Sequence, residues 1–365
     1  MASVAIALAI SETFLRMNYD IDAFFETLQF KPEIASEGWE RAFVRDYAQF
    51  REHGPGNDLT GDKHDPELGW DTPGRLRAAR ADAISKPACV FRVLAIGDSY
   101  TYGSEVDANQ TYSSYLEQAL ASGEVLNMGV RAYGIDQAAL KYLKYGRQYR
   151  PDVVVFAIFG PDYVRTPLTF FRFAKPLFQL GPAGDLVLTG TPIPSPAEMY
   201  RRLSRTLSPT SYTAALVRSA YYANAEPGHE GYYEQWDPLV EKILDRLLDA
   251  AAQDGTAVVF LYIPIGPQFA SDAELDNYCC DRGHLLRIWK RLAQKYPSTE
   301  VIDLMELLPR QYTRKVVYEQ MIIYHDGKPI GHFTPFGNRA VANVLAQHLN
   351  RKHSTALSVQ AVRDR

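Results

Sequence analysis

Cysteine is scarce in this sequence: Cys89, Cys279 and Cys280 are the three in 365 residues. So few thiols exclude a disulfide framework, and no His or Cys stands beside the adjacent pair at metal-ligand spacing, so all three read as structural thiols. They leave the redox compartment open. An excess of positive charge is also lacking. The formal net charge is −4 and no basic tract runs past a few residues, which removes the footprint of a nucleic-acid-binding protein. The charged residues read mostly as solvated faces. Long apolar runs are missing as well. Residues 2–10 are apolar but fall far short of the ~20 that a membrane-spanning helix needs, and no basic leader precedes them as in a secretory signal. Two readings of this stretch stand: a helix that begins the mature fold, or the tail of a membrane tether whose upstream part is absent. In the second, Glu12 to Arg16 would be its aqueous flank. No repeat of solenoid period is visible.

What is there suits a globular protein with a sizeable core: 46% hydrophobic and 22% charged residues, enough chain for one large domain or two modest ones. Residues 1–88 read as a helical and loop extension, with helical patterns around 11–28 and 37–51 and a turn-dense stretch that follows. His53 and His64 read there as exposed loop histidines. From Val90 the pattern alternates between strand and helix. Strands are expected at 90–96, 124–127, 152–159, 257–263 and 300–303, and helices at about 109–121, 135–148, 237–254, 272–295 and 336–351. The β-branched run Val153-Val154-Val155 suits a strand buried on both faces. Leu239, Ile243, Leu247 and Ala250 recur at helical spacing, as a helix packed on a sheet requires. The alternation predicts an α/β fold with a parallel sheet and right-handed crossovers. Residues 160–235 interrupt it with an insertion rich in aromatics and proline, either a lid or binding surface or a helical piece with its own small core. Residues 354–365 read as a frayed tail.

The chemistry is concentrated where the first strand ends. Gly97-Asp98-Ser99 breaks the apolar run, and a serine there stands at the carboxyl edge of a sheet, where open α/β folds present reactive groups. An alcohol is a poor nucleophile until a base takes its proton. His332, in Gly331-His332-Phe333-Thr334-Pro335-Phe336-Gly337 just before the last helix, is the candidate base. It lies 233 residues downstream, so only the fold can join the two; a serine capping a helix is the alternative reading of Ser99. Asp98 reads as orienting its turn, Asp162 as a cap, and Asn127 as satisfying backbone near the sheet edge. Gly129 and Gly134 serve the turn after the second strand. Arg165 reads as a contact for an anionic substrate or as a surface arginine, and Tyr100 and Tyr102 as pocket mouth or core. His229 and His284 have no evident partner.

Four ordered stretches resemble the blocks of the SGNH, or GDSL-type, hydrolases: Gly97-Asp98-Ser99-Tyr100, residues 125–134, residues 151–162, and residues 331–338. The turn-rich stretch from Asp65 to Trp70 also resembles a lead-in found in bacterial members associated with cell-surface polysaccharides. The resemblance covers about residues 90–350. It implies a three-layer α/β/α fold with a flavodoxin-like, parallel, five-stranded sheet, here spanning 89–353 with its insertion. It implies Ser99 as nucleophile and His332 as base, acting without a metal or organic cofactor on the acyl ester of a small molecule or glycan. Acyl transfer to a glycan and a non-catalytic glycan-binding role are the other functions it allows, in a periplasmic or membrane-associated setting rather than a cytoplasmic one. The family's oxyanion donors are the serine amide, a glycine and an asparagine. The glycine position falls on Ala132, whose amide can serve beside that of Ser99, while the asparagine position falls on Pro161, which has no donor. The carboxylate expected two or three residues before the histidine falls on Ile330 or Pro329, so Asp326 is the expected partner of His332, provided residues 327–329 loop outward.

Overall fold

The computed structural model describes residues 2–19, 35–45, 47–48, 62–77, 83–88, 90–120, 123–206, 211–222, 230–269 and 280–353. His53, His229, Cys89, Cys279, the tail from 354 and part of the expected 11–28 helix lie outside them.

Five short runs, all but the second rich in β-branched and aromatic residues, pair as one parallel sheet: β1 (Phe91–Ile96), β2 (Gly123–Asn127), β3 (Val153–Phe159), β4 (Ala257–Ile263) and β5 (Thr299–Asp303). The spatial order is β5-β4-β3-β1-β2, the doubly wound flavodoxin-like plan. All six residues of β1 are buried, so helices cover both faces. The crossovers carry α1 (Ser99–Tyr102), α2 (Tyr112–Ala119), α3 (Ile135–Lys141), α4 (Gly160–Arg165), α5 (Glu230–Gln253) and α6 (Cys280–Lys295), and α7 (Pro335–Lys352) closes the unit. The five expected strands are present with ends within one residue, and the expected helices of this unit are found where residues are described. α5 begins seven residues earlier than expected, and the first part of the expected 272–295 helix lies outside the described residues. The apolar stripe of α5 is buried as its spacing requires: Leu239, Ile243 and Leu247 are each at most 4% exposed.

The chain divides into two compact units, and the division differs from the one expected. The sheet unit takes residues 72–166, 180–186 and 233–365, whereas residues 1–71 join 167–179 and 187–232 in a second unit. Parts of the amino-terminal extension and of the insertion thus share one core. Phe43 from the helix Ala35–Arg45 packs on Phe173 at 5.5 Å and on Phe170 at 6.5 Å, and Tyr47 stacks on Tyr200 at 4.2 Å. The 65–70 stretch belongs here too, as a tight hairpin in which Asp65 Oδ1 accepts from the Glu67 and Leu68 amides. His64 is not a free loop residue, since its Nε2 meets Ile193 O at 3.0 Å. The helix Ala2–Asn18 leaves Val4, Ile6, Leu8 and Ile10 more than half exposed, and Glu12 pairs with Arg16 at 2.7 Å. Glu12 also caps the helix Tyr212–Tyr222, and the Thr213 and Tyr212 amides hold its carboxyl down at about 2. No described helix is long and apolar enough to cross a membrane.

Several charges are not solvated faces. Arg92, fully buried in β1, binds Glu124 at 2.6 Å and the Tyr149 and Ala83 carbonyls at 2.7 and 2.8 Å. A buried guanidinium needs this many acceptors, because an unpaired buried charge costs several kcal/mol.

Candidate active site

The carboxyl end of β1 turns sharply into α1, and Gly97 makes the turn possible. Its φ is +152°, and a Cβ there would stand 2.5 Å from both Ala157 O and Thr101 Oγ1. Asp98 then caps α1, its Oδ1 accepting from Tyr100 N at 2.9 Å, which fixes Ser99 as the first helical residue at the sheet edge. Asn127, at the end of β2, clips the neighbouring turn to this one. Its Nδ2 donates to Thr101 O at 2.6 Å and its Oδ1 accepts from Gly129 N at 2.9 Å.

The second half of the site hangs on a hairpin before α7. Ile323 N donates to His332 O at 2.8 Å, Gly331 N to Ile323 O at 2.9 Å, and His325 and Lys328 exchange backbone bonds of 2.9 Å. The tip residues Asp326 and Gly327 have φ of +50° and +75°, the paired positive values of a type I′ turn, for which Asp-Gly is a preferred sequence. Beyond it, Phe333 is buried, Thr334 caps α7 by accepting from Gly337 N, and Pro335 enters the first turn. Asn338 locks this junction to α2, accepting from Tyr112 N at 2.9 Å and donating to Phe333 O at 3.0 Å. The 331–338 motif is therefore largely an anchor for His332.

The fold brings the two distant groups together: His332 Nε2 lies 2.8 Å from Ser99 Oγ. The other ring nitrogen, Nδ1, meets Glu105 Oε2 at 2.5 Å, and the His332 amide donates to the same oxygen at 2.9 Å. The expected partner was Asp326, and the structure corrects this. Asp326 is spent at the exposed hairpin tip, whereas Glu105, just after the left-handed Gly103 that ends α1, holds the imidazole. The hydrogen bond from His332 holds the Glu105 carboxyl down at about 2, so it is ionised and can only accept. Nδ1 therefore carries a proton, and in the neutral imidazole Nε2 is free to accept from the Ser99 hydroxyl.

Ser99 Oγ has a second acceptor, Asp98 Oδ2 at 3.1 Å. Asp98 belongs to a buried acidic pair with Asp162, whose carboxyl is pushed well above its ordinary range by burial and by Asp98. Arg165 supplies the compensating charge: its NH1 donates to Asp162 Oδ1 at 2.9 Å and lies 3.6 Å from Asp98 Oδ2. It is a largely buried counter-ion, 12% exposed, so the surface reading does not hold. Asp162 caps α4 as expected, accepting from Phe159 N at 3.0 Å.

Among the described residues, neither the Ser99 nor the Ala132 amide N–H donates to another protein group. Ala132 has a φ of +64°, a conformation that glycine adopts freely and alanine at a cost of roughly 1–2 kcal/mol. Pro161 sits in the first turn of α4, with no N–H to offer. Tyr100 and Tyr102 are core. Tyr100 packs on the His332, Phe159 and Phe333 rings at 4.8, 4.9 and 5.1 Å, and Tyr102 lies between the Arg77 and Arg131 guanidiniums at 4.2 and 4.0 Å. His284 does have a partner, Asp237 Oδ2 at 2.7 Å from its Nδ1, and the ring stacks on Tyr233. Sequence reasoning missed Glu105 because a glutamate in a polar turn carries no pattern that sets it apart.

No family model and no curated protein matches the sequence. Solved structures do. The chain is similar in fold to GDSL-type lipolytic proteins. A G-D-S-L family protein of Desulfitobacterium hafniense is 12% identical, with 70% of this chain and 98% of that one covered at a TM-score of 0.38. A lipase/acylhydrolase of Enterococcus faecalis is 12% identical over 72% and 96% of the two chains, TM-score 0.40. An acetyl xylan esterase is 13% identical over 71% and 99%, TM-score 0.40. At these values the likeness carries no functional argument, which rests on the site's own geometry.

Proposed function

We propose that this protein is a serine ester hydrolase that removes a small acyl group from a polar alcohol, a carbohydrate being the first class to test. The observation that carries the reading is the continuous chain from Ser99 Oγ through the His332 imidazole to the ionised Glu105. Oγ attacks the ester carbonyl while Nε2 takes its proton. The imidazolium that forms is stabilised by the Glu105 carboxylate. The amides of Ser99 and Ala132 stabilise the developing oxyanion. The C–O bond then breaks, Nε2 returns the proton to the departing alcohol, and an acyl-Ser99 ester is left. Water, deprotonated by His332, releases the acid and restores the hydroxyl.

Pro161 leaves this oxyanion hole one side-chain donor short, and a single such donor is worth roughly 10²–10³ in kcat. Modest turnover is the consequence. The direct test is acid release from O-acetylated oligosaccharides and from p-nitrophenyl acetate, with Ser99→Ala as control. Loss in the variant supports the reading. Acetyl found on an added glycan rather than as free acetate would turn it into acyl transfer. No release by folded parent protein with either substrate would leave the scaffold as a binding protein.

A further inference from the structure

Glu105 has two histidine partners. Its Oε2 serves His332, and its Oε1 lies 2.5 Å from Nε2 of His325. Since the carboxylate can only accept, His325 Nε2 carries a proton toward it. Three donors therefore converge on this one side chain: the His332 ring, the His332 amide and the His325 ring.

This arrangement answers a physical difficulty. A carboxylate placed two or three residues before the histidine would be held by the same backbone as its partner. Glu105 instead reaches across from a turn 227 residues earlier in the chain, with a longer side chain whose rotamer freedom must be frozen. Its φ is +68° and its side chain is 27% exposed, so neither backbone regularity nor burial fixes it. The hairpin supplies the missing hold. Residues 325 and 332 lie on its two opposed strands, and Gly331 leaves room between them: a Cβ there would stand 2.9 Å from His325 Nε2 and 2.8 Å from Ile323 Cβ.

We infer that His325 is a positioning residue for the base: by tying the outer oxygen of Glu105, it keeps the inner oxygen on His332 Nδ1. The Asp-Gly turn that withdraws Asp326 from the imidazole also delivers His325 to the carboxylate that replaces it. The inference rests on the esterase reading for its catalytic consequence, but the tie itself can be read without substrate.

Two measurements test it in the full chain. The first is the proton resonance of His332 Nδ1–H, in parent, His325→Ala, His325→Asn and His325→Gln. A short bond to an ionised carboxylate puts this resonance far downfield. It is expected to move upfield or broaden in His325→Ala and His325→Asn, whose side chains fall short of Glu105, and to recover in His325→Gln, whose amide nitrogen reaches the place of Nε2. The second is p-nitrophenyl acetate hydrolysis. Losing one hydrogen bond to the charged carboxylate is worth roughly tenfold, so kcat should fall by about that factor in His325→Ala with KM unchanged, and His325→Gln should regain most of the loss. An unchanged resonance together with unchanged kcat in His325→Ala and His325→Asn overturns the inference. A resonance that responds in a parent without Ser99-dependent turnover upholds the tie and overturns the esterase reading alone.

Discussion

Replacing Glu105 by glutamine keeps the shape of the site and removes its anion. The amide can sit two ways. With its oxygen toward His332 it still accepts from Nδ1–H and from the His332 amide, and the tautomer of the imidazole is preserved. With its nitrogen toward His332 it opposes that backbone N–H, which donates to this position at 2.9 Å, so the first orientation is favoured. The loss is then that of a charge-assisted bond to the imidazolium, about 1.5–3 kcal/mol, or roughly 10–100-fold in kcat. The reversed orientation would force the wrong tautomer, at a cost of roughly 10⁴. Steady-state hydrolysis of p-nitrophenyl acetate measures either. A Glu105→Gln variant within threefold of parent would refute the assignment, as would an Asp326→Asn variant that loses as much. Asp326→Asn is expected to match the parent.

Glu105 also links the site to acid stability. Its carboxyl is held at about 2 against an ordinary value of 4.5, so its contribution is complete above pH 4.5 and is lost as pH falls through about 2. Melting temperatures of parent and Glu105→Gln should differ at pH 5 and converge toward pH 2; a constant difference would contradict this. Arg165→Met leaves the buried Asp98 and Asp162 without their cation, and denaturant unfolding should show a loss of about 3–5 kcal/mol. A change below 1 kcal/mol would mean that both carboxyls are already neutral. Ala132→Gly relieves the positive φ but adds chain entropy to the unfolded state, about 0.5–1 kcal/mol, for a net gain of zero to about 1.5 kcal/mol. Marked destabilisation would show that the alanine methyl has a packing role.

The sheet was legible because its signals are local. Continuous apolar runs ending at Gly97, Asn127 and Phe159 mark strands buried on both faces, and the α5 stripe repeats at helical spacing. Ser99 and His332 were legible through the motifs around them, which serve the turn and the α7 cap as much as the chemistry. Glu105 and His325 were not, because their pairing exists only once the hairpin closes over α1. Nor were the buried charges. Arg92 and Arg165 look in sequence like any solvent-facing arginine, and only their packed acceptors distinguish them. The shared core of residues 1–71 and the insertion was hidden for the same reason, since Phe43 and Phe173 are far apart in the chain.

In the proposed mechanism an imidazole oriented by Glu105 activates the Ser99 hydroxyl. Trapping with a fluorophosphonate probe, followed by peptide mapping, tests it most directly because it needs no knowledge of the natural ester. A single adduct on Ser99 is expected, formed more slowly in Glu105→Gln and at parental rate in Asp326→Asn. Folded protein that takes up no probe at Ser99, or takes it up equally fast without the Glu105 carboxylate, would contradict it.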